Sequence, residues 1–199
     1  MRLSMEYLAG LKEYLNLSYD DFALKKAYVQ GTWHVFHLHG RRIIPARIID
    51  SQTYEATLED EQGNHLPVHK TEIKFLHSLE EALEIAEKIK IDRRVQAQNL
   101  EPIYYTKDRH FIKNKSLYPL MLEREVLFFT LLEGEILRGV VQGFNRFEIQ
   151  VSLKGGLPVT ILRHALYEVQ NKKGRSFLKS VQDRKKEWKK SQYYVTAQE

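Results

Sequence analysis

The chain has 199 residues, of which 43% are hydrophobic and 29% charged, with a net charge of +5 and no cysteine. This composition is typical of one ordinary or two small globular domains, and it excludes thiol nucleophiles, disulfide bonds and zinc sites built from cysteine. Because no run of about 18 apolar residues is present and the first residues lack a secretory pattern, we expect a cytoplasmic protein.

The N-terminal part of the chain predicts a helical arm over residues 1–30 and a β-rich module over residues 31–77. Short runs such as WHVFHL and TYEATLED carry β-branched and aromatic residues with period-two alternation, which is typical of strands. The sequence EQGN at residues 61–64 predicts a turn between two of these strands. We therefore expect the first module to be a small antiparallel sheet.

A helical linker and a loop are predicted over residues 78–112. Ser78 and Glu81 have the spacing of a capping box, in which each side chain accepts from an exposed backbone N–H at the helix start. Apolar residues between Leu79 and Ile89 recur at helical spacing. We expect this segment to be a structural connector between two modules.

A second module is predicted over residues 113–170, where a short helix at residues 113–124 precedes a second run of closely spaced strands. The turn signals EG at 133–134 and KGG at 154–156 separate these strands. Gly139 lies inside a strand, where glycine is favoured by a bend or a close backbone approach, so we expect a barrel corner there.

The two modules show an internal repeat. The tripeptide LPV occurs at residues 66–68 and again at 157–159. When the two segments are aligned outward from this tripeptide, Tyr54 matches Phe147 and Ala46 matches Gly139. Lys70 and Thr71 match Arg163 and His164. An ordered set of this kind favours a duplicated β module.

The second copy resembles the bacterial Hfq branch of the Sm-like RNA-binding family. The resemblance is carried by Gly134 and Gly139, by the aromatic-x-x-aromatic stretch FNRF at 144–147, and by LRHALYEV at 162–169. The short predicted helix lies where that family has its N-terminal helix. The first copy matches only the general Sm outline.

This resemblance implies a mainly β fold of the α+β class, with two small, strongly bent, five-stranded antiparallel barrels joined by a helix. Sm-like subunits join edge to edge into a ring, which also protects unpaired strand edges. If each chain carries two modules, three chains form a six-module ring, so we expect a homo-oligomer.

The same resemblance implies an RNA site in the second module. There Phe147 stacks on a base, Arg163 holds a phosphate, and His164 bonds to the base or sugar. Base stacking on an aromatic ring is worth about 1–3 kcal/mol and tolerates any base, and adjacent cations add a salt-dependent phosphate contribution. Asn145 and Arg146 are further candidates, although Arg146 replaces the family's usual glutamine.

The first copy departs further from the family, because Thr71 replaces the histidine. Tyr54 and Lys70 remain there as a candidate stacking and charge pair. On the opposite ring face, where the family binds A-rich RNA, Thr130 replaces an aromatic residue and Glu135 replaces an aliphatic one. Since a negative charge facing phosphates is unfavourable, we expect A-rich binding to be weak or absent.

The segment 171–199 is a basic tail. Residues 171–190 hold nine Lys or Arg and two Asp or Glu, which leaves a net charge of −2 for the rest of the chain. Such a segment favours an anionic partner, either nucleic acid or a membrane surface, although a solvated helix end has the same composition. Its candidate RNA contacts are Arg184, Lys185, Lys186 and Trp188.

No nucleotide-binding or hydrolase motif is present, and His37 and His39 lack a third ligand at diagnostic spacing, so no enzyme activity, metal or cofactor is expected. The leading hypothesis is an RNA-binding protein that takes single-stranded RNA, U-rich RNA among the candidates, in post-transcriptional regulation. The alternative is a protein-interaction scaffold that kept the Sm fold and lost RNA affinity. A membrane-surface adaptor acting through the tail is a third, less favoured, reading.

Overall fold

The computed structural model describes residues 5–19 and 22–179, and within them the fold is mainly β with five short helices. The helices are α1 (Met5–Leu17), α2 (Ala23–Gln30), α3 (Ala82–Ala86), α4 (Arg93–Gln96) and α5 (Asn114–Leu122). The strands of the first half are β1 (His34–Leu38), β2 (Arg42–Ser51), β3 (Glu55–Asp60), β4 (His65–His69) and β5 (Ile73–Ser78). The later strands are β6 (Lys90–Ile91), β7 (Phe111–Ile112), β8 (Leu127–Leu131), β9 (Glu135–Phe144), β10 (Glu148–Leu153), β11 (Pro158–Leu162), β12 (Leu166–Asn171) and β13 (Leu178–Lys179). The expectation of a mainly β chain with short helices is confirmed.

Eleven strands form one antiparallel sheet. Its order is β12-β8-β9-β10-β11-β5-β1-β2-β3-β4, with β6 paired to β9, while β13 and β7 form a separate two-stranded sheet. The end strands β12 and β4 do not pair with each other, so the sheet is not closed into a barrel. Instead of two separate barrels, the described chain has one continuous open sheet, because β11 of the second half pairs with β5 of the first.

The two halves repeat one strand order. In each half the fifth strand lies beside the first, and the second, third and fourth follow in sequence. A 3₁₀ turn separates the fourth strand from the fifth in both halves, at Lys70–Glu72 and at Arg163–Ala165. The halves meet where Val159, Thr160 and Ile161 pair with His77, Leu76 and Phe75. The two segments that the sequence pattern pairs therefore have the same strand order.

Each half buries its own hydrophobic core. The first core includes Phe36, Leu58 and Leu76 together with residues of α2, and the second includes Phe129 and residues of α1 and α5. Burial of apolar surface of this kind supplies most of the favourable free energy of folding.

Gly139 in β9 lies where the backbone of the neighbouring strand comes close. A Cβ added to Gly139 would lie 2.4 Å from the carbonyl oxygen of Ser152. No side chain fits at that distance, so the backbones approach closely at Gly139. The barrel corner expected there is wrong, because the sheet is open rather than closed into a barrel.

The continuous linker helix predicted from Ser78 is wrong. Ser78 ends β5, and its hydroxyl accepts from the N–H of Glu80 at 3.2 Å, so the capping box does not form. The α-helices of this segment are α3 and α4 alone, and β6 between them pairs with β9. Asp92 then caps α4 by accepting from the N–H of Arg94 at 2.8 Å. Tertiary strand pairing at β6 thus overrides the local helical pattern.

A buried ionic cluster joins the two halves. Lys74 of β5 is 1% exposed, and its ammonium group donates to the carboxylates of both Glu133 and Glu135. Glu133 also accepts from the backbone N–H groups of Gly40 and Arg41, at 3.0 and 3.2 Å. Glu135 is thus buried against Lys74 rather than set on an open face, and its charge is compensated within the chain.

Candidate nucleic-acid interface

A cavity of about 860 Å³ lies in the second half, between α1, the start of α5 and the turns that follow β9 and β11. Five of the residues singled out from the sequence line this cavity: Asn145, Arg146, Phe147, Arg163 and His164. They come from two turns that are about 16 residues apart in the chain, and the pairing of β10 with β11 brings those turns together. The fold therefore gathers the candidate residues of the second copy at one place.

Arg163 is a largely buried cation with few partners. Its Nη1 donates to the carbonyl oxygen of Ile112 at 3.5 Å, which is long for a hydrogen bond, and its guanidinium carbon lies 5.5 Å from the centre of the Phe144 ring. Nε and Nη2 are buried and have no hydrogen-bond partner among the described residues. Burial lowers the pKa of Arg163 to about 10, so the group stays charged at neutral pH. A buried cation that has no counter-charge among the described residues is a favourable place for an anionic ligand.

His164 faces the junction between the halves. It is 8% exposed, and its Nε2 donates to the carbonyl oxygen of Ile73 at 2.8 Å. Burial lowers the pKa of His164 to about 4, so the imidazole is neutral at pH 7. His164 thus contributes no positive charge to the cavity, and the nitrogen that would donate to a base or sugar is already used within the chain.

Phe147 presents a ring to solvent at the mouth of the cavity. The side chain is 47% exposed, its ring centre lies 5.5 Å from that of Phe22, and the guanidinium carbon of Arg146 lies 5.2 Å from it. Asn145 is buried, and its Oδ1 accepts from the N–H groups of Phe147 and Glu148 at 2.8 and 2.9 Å. Asn145 thus fixes the turn that presents Phe147.

The N-terminal arm is attached to the same turn. Glu148 is 2% exposed, and its carboxylate accepts from the N–H of Ala23 at 2.7 Å, at the start of α2. A carboxylate at a helix N-terminus is favoured by the unpaired N–H groups there. Tyr14 of α1 bonds through its hydroxyl to the N–H and carbonyl oxygen of Phe144, at 2.6 and 2.9 Å. The arm therefore forms a fixed wall of the cavity.

The described lining of the cavity is strongly basic. It includes Arg109, Lys113, Lys115, Arg146 and Arg163, and among the described residues no Asp or Glu lines it. The sequence reasoning missed the first three of these. The sequence KNK at the start of the predicted short helix could have identified Lys113 and Lys115 as candidate cations.

The candidate residues of the first half lie outside this cavity. Tyr54 is 70% exposed, and its ring stacks on His69 with the ring centres 6.3 Å apart. Lys70 donates through Nζ to the carbonyl oxygen of Gln52, and partial burial lowers the pKa of Lys70. Tyr54 and Lys70 therefore do not line the cavity that holds Phe147 and Arg163.

Several remaining expectations fall elsewhere in the molecule. Thr130 lines a second cavity of about 460 Å³. His37 is buried, with its Nε2 3.1 Å from Nε2 of His77 and its ring stacked on Phe75 at 3.8 Å. Arg184, Lys185, Lys186 and Trp188 lie outside the described residues.

Within residues 5–19 and 22–179, the helices are too short or too polar to traverse a bilayer. Comparison of the chain with protein-family models and with curated proteins found no match. Its function is therefore inferred from the cavity and from the arrangement of its strands.

Proposed function

We propose that the chain is a tandem Sm-like protein that binds single-stranded RNA in the cavity of its second half. The observation that carries this proposal is Arg163, whose buried Nε and Nη2 lack partners among the described residues beside the exposed ring of Phe147. An RNA strand supplies both an anion for the guanidinium and a flat base for the ring.

The arrangement of elements supports the Sm-like part of the proposal. In each half a helix precedes five antiparallel strands, α2 before β1–β5 and α5 before β8–β12. The halves join edge to edge through β11 and β5, as subunits of that family do. Arg163 and His164 begin the 3₁₀ turn between the last two strands, where the family carries its basic pair.

Binding combines two physical contributions. A base stacks on the exposed face of Phe147, which is worth about 1–3 kcal/mol and does not depend on the identity of the base. The phosphates approach Arg163, Lys113 and Lys115, so affinity falls as salt rises, with a log–log slope of about −0.7 for each phosphate neutralised. The Phe147 ring and these cations line one cavity, so adjacent parts of one strand can contact both.

The test is fluorescence anisotropy with a labelled U-rich RNA at two salt concentrations. Phe147→Ala is expected to weaken binding by at least about 5-fold, the value of one stacked base. Tyr28→Ala is the matched control, because Tyr28 is 41% exposed on α2 and does not line the cavity.

Absence of RNA binding at low salt would refute the proposal. Binding that is unaffected by both salt and Phe147→Ala would also refute this site. In either case, capture of a protein partner that survives nuclease treatment would favour the scaffold alternative.

A further inference from the structure

A row of aromatic and basic side chains continues from the cavity of the second half toward the first half. Arg109 lines the cavity, and its guanidinium donates to the carbonyl oxygens of Ile103 and Tyr104 at 3.0 and 2.9 Å. The ring of Tyr104 meets His69 edge-on, with the ring centres 5.1 Å apart, and His69 stacks on Tyr54. The loop before β7 thus connects the cavity to the exposed tyrosine of the first half.

The aromatic rings in this row are open to solvent. Tyr54 is 70% exposed, Tyr104 51% and Tyr105 71%. The ammonium nitrogen of Lys107 lies 5.6 Å from the centre of the Tyr105 ring. Exposed rings interleaved with cations are the features with which proteins bind single-stranded nucleic acid without sequence preference.

We propose that this row, formed by Tyr54, Tyr104, Tyr105 and Lys107, is a second contact region for the same RNA strand. The inference rests on the proposed function of the cavity. The ligand class is then a single-stranded RNA segment several nucleotides long rather than a mononucleotide, with one part in the cavity and the next part along the row.

The test measures the affinity of oligouridylates from 2 to about 10 nucleotides long. Wild-type affinity is expected to rise with length, because longer strands reach the row. Tyr54→Ala and Tyr105→Ala should each weaken the longest oligomer by at least about 5-fold and leave the shortest unchanged, whereas Phe147→Ala weakens every length. Tyr28→Ala is again the control.

Equal binding of long oligomers by the wild type and by both tyrosine variants would overturn the second region and leave the cavity proposal standing. Absence of binding at every length would overturn both proposals. The two failures are therefore distinguishable.

A separate observation concerns the outer edge of β12, the last strand of the sheet. The chain itself covers this edge at every second residue. Three hydrogen bonds do so: Asn171 N–H to the Arg175 carbonyl at 3.1 Å, Phe177 N–H to the Val169 carbonyl at 2.9 Å, and His110 Nδ1 to the Tyr167 carbonyl at 2.8 Å.

The segment that covers the edge is firmly held. Oδ1 of Asn171 accepts from the N–H groups of Lys173 and Arg175 at 3.1 and 3.0 Å, which fixes the turn after β12. Leu178 is 9% exposed in the second core, and β13 pairs with β7. Residues 175–177 are therefore part of the folded structure and form an edge cap on β12.

The position of the edge cap matters because each end strand of the sheet is equivalent to one of the two strands that join the halves. Inside the chain, the fourth strand of one half pairs with the fifth strand of the other. The two end strands, β4 and β12, are a fourth and a fifth strand, so a second copy would extend the sheet by the same pairing. We infer that the edge cap blocks the β4 strand of a second copy from β12. The six-module ring that the resemblance implies would require the cap to leave.

Light scattering on the full chain tests the edge cap. The wild type is expected to have the mass of one chain, 23.5 kDa, at all concentrations. Phe177→Pro removes the N–H that donates to Val169, and this variant should associate as its concentration rises. Phe177→Ala controls for loss of the ring. Ser176→Pro controls for proline itself. The Arg175 carbonyl and the Phe177 N–H on either side of Ser176 bond to β12, whereas the Ser176 N–H makes no hydrogen bond to β12 among the described residues.

A folded Phe177→Pro variant that keeps the mass of one chain would overturn this inference, as would a wild type that already pairs through β12. If Phe177→Pro does not fold, Asn171→Ser loosens the same segment through its turn. The same increase in mass is then expected, and its absence would overturn the inference.

Discussion

Replacing Arg163 with methionine is expected to stabilise the fold. Burial lowers the pKa of Arg163 to about 10, so burial disfavours the charged form of this side chain by roughly 3 kcal/mol. Arginine is nevertheless charged at pH 7 in both the folded and the unfolded chain, so the folded chain bears this cost. Since two of its nitrogens are buried without a partner among the described residues, little offsets that cost.

The net gain should be smaller than this value because the side chain also makes favourable contacts. Its guanidinium lies near the Phe144 ring, and a contact of that kind is worth about 0.5–2 kcal/mol. We therefore expect Arg163→Met to raise the free energy of unfolding by about 1–2 kcal/mol, measured by urea unfolding followed by circular dichroism. Arg138→Met is the matched control: the Arg138 guanidinium lies 5.6 Å from the Phe128 ring but is exposed, so its effect should stay within about 0.5 kcal/mol.

The same variant should bind RNA at least about 10-fold more weakly, because a charge-assisted hydrogen bond to phosphate is worth about 1.5–3 kcal/mol. A gain in stability combined with a loss of affinity is characteristic of a charge kept for a ligand. If Arg163→Met instead destabilised the chain and bound RNA like the wild type, the guanidinium would be a structural group and the reasoning would fail.

Three further predictions concern stability. Lys74→Met should cost about 3–5 kcal/mol in urea unfolding, because the buried Glu135 and the partly buried Glu133 lose their counter-charge. A loss below about 1 kcal/mol would show that these carboxylates are solvated. Gly139→Ala should lower the thermal midpoint by more than about 5 °C, since its Cβ would meet the Ser152 carbonyl; an unchanged midpoint would contradict this packing. Stability should also fall as pH drops from about 6.5 toward 4, because burial lowers the pKa values of His37 to about 3 and His164 to about 4, so the unfolded chain takes up protons first. His164→Gln should flatten that dependence, and an unchanged pH profile would show that His164 does not contribute to it.

The strand pattern of the second half was readable from the sequence because its signals are local. Backbone conformation there is specified within a few residues by three signals. These signals are the alternation of apolar residues, the glycines in the turns, and the residues of the short helix, which tolerates a proline. The helix expected at residues 113–124 is α5, Asn114–Leu122, and the strands return at Leu127. The linker failed for the opposite reason: Lys90 and Ile91 pair with β9, a partner about 45 residues away in the chain, and no local pattern contains that information.

The candidate site divides in the same way. The residue types of the site were identifiable, since an aromatic residue between polar neighbours and an adjacent Arg and His are visible in the sequence. Their environments were not identifiable. Burial decides that His164 is neutral and bonded to Ile73, and that Arg163 keeps two nitrogens without a described partner.

The sequence by itself determined that this chain is mainly β. It also predicted a repeated set of strands and identified the side chains that are candidates for binding an anion and a base. These properties follow from periodicity and residue chemistry, which act over a few neighbouring positions. Only the tertiary structure decided that the halves share one open sheet, that Lys113 and Lys115 join Arg163 at one cavity, and that the edge cap covers β12. Those outcomes depend on which distant segments pair and on which charges lose contact with water, and both are set by packing of the whole chain.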